Sequence, residues 1–108
     1  MADPGEVQLK RGVLELCVLA ILAEADSYAY EIAQRMAAAI DMGEGTVYPL
    51  VKRMQAEGLL TDYLGESPAG PPRRYYRLTD AGRDRLLAEK ATWARFVTAI
   101  DTLVGPRA

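Results

Sequence analysis

Two short basic clusters are the residues of this chain whose type and spacing could do chemistry: Lys52-Arg53, and Arg73-Arg74 with Arg77 close behind. The chemistry they suit is the holding of phosphate, because a local cationic patch attracts a polyanion even on an acidic protein. Catalytic alternatives lack their parts. The sequence has no histidine, which removes the commonest general base and the commonest zinc ligand. Its single cysteine, Cys17, cannot anchor a thiolate metal site. Gly43-Glu44-Gly45 is too short for a phosphate loop and does not follow a strand. Asp80 and Asp84 stand one helical turn apart, but Arg83 and Arg85 surround them, as on a solvated charged face. No serine or threonine has an evident base. The expectation is a binding protein, with no catalytic residue, cofactor or metal.

The 108 residues suffice for one domain with one core. Half are hydrophobic and 26% are charged, the balance of a globular chain. The longest apolar run, Leu16 to Ala23, is far too short to cross a bilayer. Met1 to Glu6 lacks a basic segment leading into an apolar one, so no secretion signal is expected. Cys17 lies within the apolar run and reads as a small core residue, compatible with a reducing cytoplasm. The net charge is -2 and unevenly spread: residues 1–42 hold seven acids and three bases, residues 43–108 eight acids and ten bases.

The elements that must position the basic clusters follow from periodicity. Leu9 to Glu24 reads as a first helix, apolar around most of its circumference and so buried on nearly all sides. Asp26-Ser27 supplies a break and a candidate cap for a second helix, Tyr28 to Ile40, whose stripe is Ile32, Ala33, Met36, Ala37 and Ile40. Asp41 to Gly45 is a tight connection. A third helix runs from Thr46 to Glu57, with Pro49 expected in its first turn and Gly58 as a left-handed cap. Val47, Leu50, Val51 and Met54 face inward, which turns Tyr48, Pro49, Lys52 and Arg53 outward. Leu59 to Glu66 and Arg73 to Leu78 read as the strands of a hairpin with a proline-rich tip, and Tyr76 and Leu78 as core. Thr79 caps a last helix to Val104, about 25 residues and nearly 40 Å long. Leu86, Trp93, Val97, Ile100 and Val104 repeat along it at near-heptad spacing, widened by Phe96 and Leu103. A core built from residues 9–78 cannot cover that length. The expected fold is mainly α with a small β-hairpin: a winged helix-turn-helix in residues 1–78 and a dimerisation helix in residues 79–108, in one compact unit.

The segment Gly45-Thr46-Val47-Tyr48-Pro49-Leu50-Val51-Lys52-Arg53-Met54, followed by Glu57-Gly58-Leu59-Leu60, resembles the PadR family of transcriptional regulators. The family's third helix reads Gly-Thr-Leu-Tyr-Pro-Leu-Leu and closes on Glu-Gly-Leu-Ile. Arg73-Arg74-Tyr75-Tyr76-Arg77-Leu78-Thr79 with Gly82 is similar to the family's wing strand and helix entry, and Arg11-Gly12 with Leu14-Glu15 to its first helix. Two departures stand out. Ala29-Tyr30-Glu31 replaces Gly-Tyr-Glu, and Gly70-Pro71-Pro72-Arg73-Arg74 replaces Gly-Arg-Pro-Arg-Lys, so one arginine at the wing tip is missing. The short last segment is similar to the subclass without a further C-terminal domain.

The resemblance implies a bacterial, cytoplasmic repressor that binds double-stranded DNA at an inverted-repeat operator. It places the DNA surface on Gly45, Thr46, Tyr48, Pro49, Lys52, Arg53, Arg73 and Arg74, with Tyr48 at the family's DNA-contacting tyrosine. Pairing as a homodimer falls to Leu86, Trp93, Phe96, Val97, Ile100, Leu103 and Val104. Trp93 and Phe96 carry two readings: packing between subunits, or the wall of a pocket for a flat aromatic or phenolic inducer. A winged-helix module that binds protein rather than DNA is the alternative function, and the acidic total charge is its main support.

Overall fold

The computed structural model describes residues 13–105. Four helices and three strands follow in the order α1 (Leu14–Glu24), β1 (Ser27–Tyr28), α2 (Ala29–Ile40), α3 (Glu44–Ala56), β2 (Leu60–Gly65), β3 (Arg73–Leu78) and α4 (Asp80–Val104). The expected start of the first helix at Leu9, and the Arg11-Gly12 match, lie outside the described residues. The apolar stripes of α1, α2 and α3 and the inward residues of the hairpin form one core, which takes only Leu86 from the stripe of α4. Val18 and Leu19 of α1, Ile32 and Met36 of α2, and Val47, Val51 and Met54 of α3 are almost fully buried, and Leu60, Tyr76 and Leu78 close the core from the sheet. Cys17 is half-buried against this core, and burial pushes its thiol pKa up, which leaves it a poor nucleophile.

The sheet is antiparallel in the order β1-β3-β2, one strand more than a hairpin. Ser27 pairs with Tyr76 and Tyr28 with Tyr75. The expected cap at Ser27 is therefore replaced: its hydroxyl donates to the Ala25 carbonyl at 3.3 Å, and α2 begins at Ala29 with no side-chain cap. Two residues are too few for an alternation signal, and the pairing that makes them a strand lies far along the chain. On the sheet face away from the core, Tyr28, Tyr75 and Tyr63 stand in one cross-strand row. Tyr75 packs edge-on to Tyr28 at 5.6 Å and stacks with Tyr63 at 5.8 Å. Gly65 has room only for hydrogen, because a Cβ there would run into the Tyr75 ring. The Tyr63 hydroxyl donates to Asp26 at 2.6 Å, which ties the wing to the turn after α1.

α4 begins inside the head. Thr79 caps it by accepting from the Gly82 amide at 3.0 Å, while its own hydroxyl donates to the Gly58 carbonyl at 2.7 Å. Gly82 lies so close to the chain at Leu59 that a Cβ would overlap the Leu59 carbonyl oxygen. Leu86, expected in the pairing stripe, packs instead in the core of its own chain and keeps only 8% of its surface exposed. Beyond Leu86 the helix leaves the head, and the chain extends over 51 × 33 × 22 Å. The side of α1 that carries Val13 and Leu16 is likewise less covered than its apolar sequence implies, because it opens onto a groove along α4. No helix among the described residues is long and apolar enough to cross a membrane.

Candidate nucleic-acid interface

α2 and α3 meet through a three-residue turn. Asp41 takes a left-handed conformation, φ 57°, and the Asp41 and Met42 amides close the end of α2 on the Ala37 and Met36 carbonyls at 3.1 and 3.4 Å. An aspartate tolerates that conformation better than most residues. Gly43 then caps α3, whose first turn begins at Glu44 rather than at Thr46. The shift places Gly45 and Thr46 within the first turn and Pro49 in the second. Pro49 has no amide hydrogen to give the Gly45 carbonyl, a loss tolerable here because both residues are exposed. Gly58 ends the unit at φ 80°, as its cap role requires.

With Val47, Val51 and Met54 buried, α3 presents Gly45, Thr46, Tyr48, Pro49 and Lys52 on its open side. Tyr48 keeps 37% of its surface exposed. Partial desolvation raises its hydroxyl pKa, with Glu44 and Tyr30 adding to the effect, so the phenol stays neutral and can both donate and accept. Lys52 places its ammonium 5.9 Å from the centre of the Tyr76 ring. On the wing, Arg74 donates to Asp62 at 2.8 Å. The Arg74 guanidinium, and after it the Gln55 side chain, hold the Asp62 carboxyl below the usual carboxylate range. Asp62 thus ties the wing to α3 and keeps Lys52 and Arg74 on one side of the molecule. Arg73 lies over the Tyr28 ring at 4.4 Å, and an open notch of about 460 Å³ lies between Tyr28, Ala29, Tyr30, Arg73 and Arg74.

Arg53 takes a different path. Its guanidinium pairs with Glu57 at 2.8 Å and reaches Glu15 of α1 at 3.5 Å, at the edge of the open side. The structure therefore groups seven of the eight expected residues in two neighbouring sets, one on α3 and one on the wing, and draws Arg53 toward carboxylates. Sequence reasoning missed Tyr28, Tyr30 and Asp62. Tyr30 could have been found through its place in the Ala29-Tyr30-Glu31 match. Asp62 carried no local signal. Among the described residues no group of three or more histidine, cysteine, aspartate or glutamate side chains could hold a metal.

A helix-turn-helix with one open helix face, a basic hairpin beside it and a long helix behind it defines the winged helix-turn-helix class of DNA-binding proteins. Residues 18–88 match the model of the transcriptional regulator PadR-like family, and the chain belongs to that family. It is accordingly a DNA-binding regulator of transcription and not an enzyme. A PadR-like transcriptional regulator of Bacillus cereus is 35% identical, with a TM-score of 0.85 over 93% of this chain and 99% of that one. A Streptococcus transcriptional regulator is 31% identical, with a TM-score of 0.82 over 89% of this chain and 96% of that one. An uncharacterised protein of Lysinibacillus sphaericus is 30% identical over 95 residues, which span 84% of this chain and 87% of that protein.

Proposed function

We propose that the protein is a homodimeric repressor that reads an inverted-repeat operator and releases it when a flat aromatic or phenolic molecule binds beside α4. The observation that supports pairing is the bare stripe of α4. Leu103 is 83% exposed, Val104 73%, Phe96 57% and Trp93 45%, with Ile100 also open, all on one helix that has left the head. A contiguous exposed apolar stripe of this kind marks an interaction surface. The pairing face in this reading is Trp93, Phe96, Val97, Ile100, Leu103 and Val104. Leu86 is not part of it. In this reading residues 13–78 form the head, completed by α4 as far as Leu86, and the rest of α4 is the pairing helix.

The DNA face comprises Gly45, Thr46, Tyr48, Pro49 and Lys52 of α3, with Arg73 and Arg74 of the wing, and Arg53 at its edge. Support for the ligand comes from a groove of about 720 Å³ walled by Val13, Leu16, Trp93, Phe96, Val97 and Ile100. The two rings stand 6.5 Å apart at a tilt. A second copy of α4 laid along the stripe would roof this groove and make it a pocket.

Sedimentation tests the reading. The wild type is expected to sediment as a dimer at micromolar concentration. Val97→Asp with Ile100→Asp would place unpaired charge in the seam and give monomers with a folded head. A wild type that sediments as a monomer would overturn the proposal.

A further inference from the structure

Carboxylates hold Arg53, Arg74 and Arg85: Glu57 and Glu15 take the first, Asp62 the second, and Glu15 the third at 2.9 Å. Arg73 and Arg77, on the outer face of β3, lie over tyrosine rings instead, Arg73 over Tyr28 at 4.4 Å and Arg77 over Tyr63 at 5.1 Å. Among the described residues no carboxylate pairs with Arg73. A ring face fixes the direction of a guanidinium and leaves its charge and its N–H edge available. The strand register explains why Arg73 turns to Tyr28. Its neighbour across the ladder on β2 is Gly65, which has no side chain, and the Tyr75 ring fills the space beside that glycine. The guanidinium turns to the other edge of β3, where β1 ends at Tyr28 and α2 begins.

The notch at that edge, about 460 Å³, is walled by Tyr28, Ala29, Tyr30, Arg73 and Arg74. Tyr30 is 50% exposed and stands close enough to Tyr48 to help raise its hydroxyl pKa. Tyr30 thus joins the notch to the open side of α3.

Resting on the proposed reading of DNA by α3 and the wing, we propose that this notch is the seat of one DNA backbone phosphate, bound by the Arg73 guanidinium and the Tyr30 hydroxyl, and that Tyr28 is the positioning residue that aims Arg73 into it.

A helix seated in a major groove with a hairpin beside it has between them the sugar–phosphate strand that separates that groove from the next. The surface that runs from Tyr48 through Tyr30 to Arg73 faces that strand. Arginine suits the place, because its planar fork stacks on a ring and still gives two parallel N–H bonds to phosphate oxygens. A phenol hydroxyl adds a donor without adding charge. A phosphate held here fixes the register of the protein along the strand and reads no base. Arg74 is drawn to Asp62 and serves as a wall of the seat.

The probe is a duplex that the full-length protein selects from a random-sequence pool. Its phosphates are replaced one at a time by methylphosphonate, which removes the charge and keeps the link between sugars. At one phosphate of each half-site the wild type is expected to lose about five- to twentyfold in affinity. Arg73→Ala is expected to bind the intact duplex more weakly and to lose little further at that phosphate. Tyr28→Leu should match Arg73→Ala, whereas Tyr28→Phe, which keeps the ring, should match the wild type. Tyr30→Phe, which removes only a hydroxyl, should lose less at that phosphate than the wild type does. A general loosening of the wing would instead lower affinity equally for every version of the duplex. Arg73→Ala does not touch the tyrosine row, so its result stands even if Tyr28→Leu does not fold. Arg73→Ala that stays as sensitive as the wild type at every phosphate would overturn the seat. Tyr28→Phe that behaves like Arg73→Ala, or a folded Tyr28→Leu that behaves like the wild type, would overturn the positioning role. Either result would leave DNA binding intact. A pool that yields no bound duplex would overturn the DNA-reading face, and this inference with it.

Discussion

Lys52 and Arg53 stand side by side in the chain and have different surroundings. Lys52 has an aromatic face near its ammonium and stays exposed, whereas Arg53 is paired with two carboxylates. An exposed ion pair contributes at most about 1 kcal/mol, so Arg53 is held in place more than it stabilises the fold. The difference predicts unequal effects on DNA. Lys52→Ala, or Arg73→Ala with Arg74→Ala, should weaken binding and lower the slope of log affinity against log salt. The slope should fall by about 0.9 for each phosphate that is no longer neutralised, counted twice in a dimer. Arg53→Ala should change that slope less. Equal slopes for the wild type and every one of these folded variants would move the DNA face elsewhere. At this scale much was legible. The inward set Val47, Leu50, Val51 and Met54 fixed which side of α3 is open, and Arg53 with Glu57 is an ordinary i, i+4 pair. The part of Glu15 was not legible, because its partners on α3 and α4 come from distant stretches of chain and charge pairing between helices leaves no periodic trace.

α4 illustrates what periodicity can and cannot give about an element. Its length, its Thr79 cap and its stop before Gly105 follow from the sequence and are found in the structure. The division of its stripe between the two jobs does not follow, because Leu86 and Ile100 look alike in a heptad pattern. The difference arises from Gly82, whose lack of a side chain lets the helix start against Leu59 and buries Leu86 in the head. β1 escaped notice for a related reason: only the arrival of β3 makes a strand of Ser27 and Tyr28. The rest of the stripe bears on induction. Trp93 is the one tryptophan in the sequence, so its fluorescence reports on the groove without a label. An aromatic compound that releases the operator should quench it over the same concentration range. Trp93→Ala should abolish release yet leave affinity for DNA in the absence of ligand within a few-fold. Normal induction of that variant would place the ligand elsewhere, and outright loss of DNA binding would make Trp93 a packing residue.

The whole chain is acidic, with a net charge of -2, yet the face proposed for DNA carries Lys52, Arg73 and Arg74. Association with DNA then depends on where the charges stand and on how two faces are spaced. A single recognition helix reads only a few base edges in one major groove. Two copies joined along α4 would present two such helices to one side of a duplex. The class of fold, and the reason to expect a partner, were readable from an apolar helix that its own core could not cover. The angle between the heads of such a dimer was not, since it would depend on the seam, which is not local in sequence. The central claim, a dimer that places two recognition helices on one face of DNA, is tested most directly by hydroxyl-radical footprinting on a duplex that the full-length protein selects from a random-sequence pool. Two protected patches related by inverted symmetry, about 10 or 20 base pairs apart and on the same face, are the expected result. One unrepeated patch, with the protein bound at saturation, would contradict it.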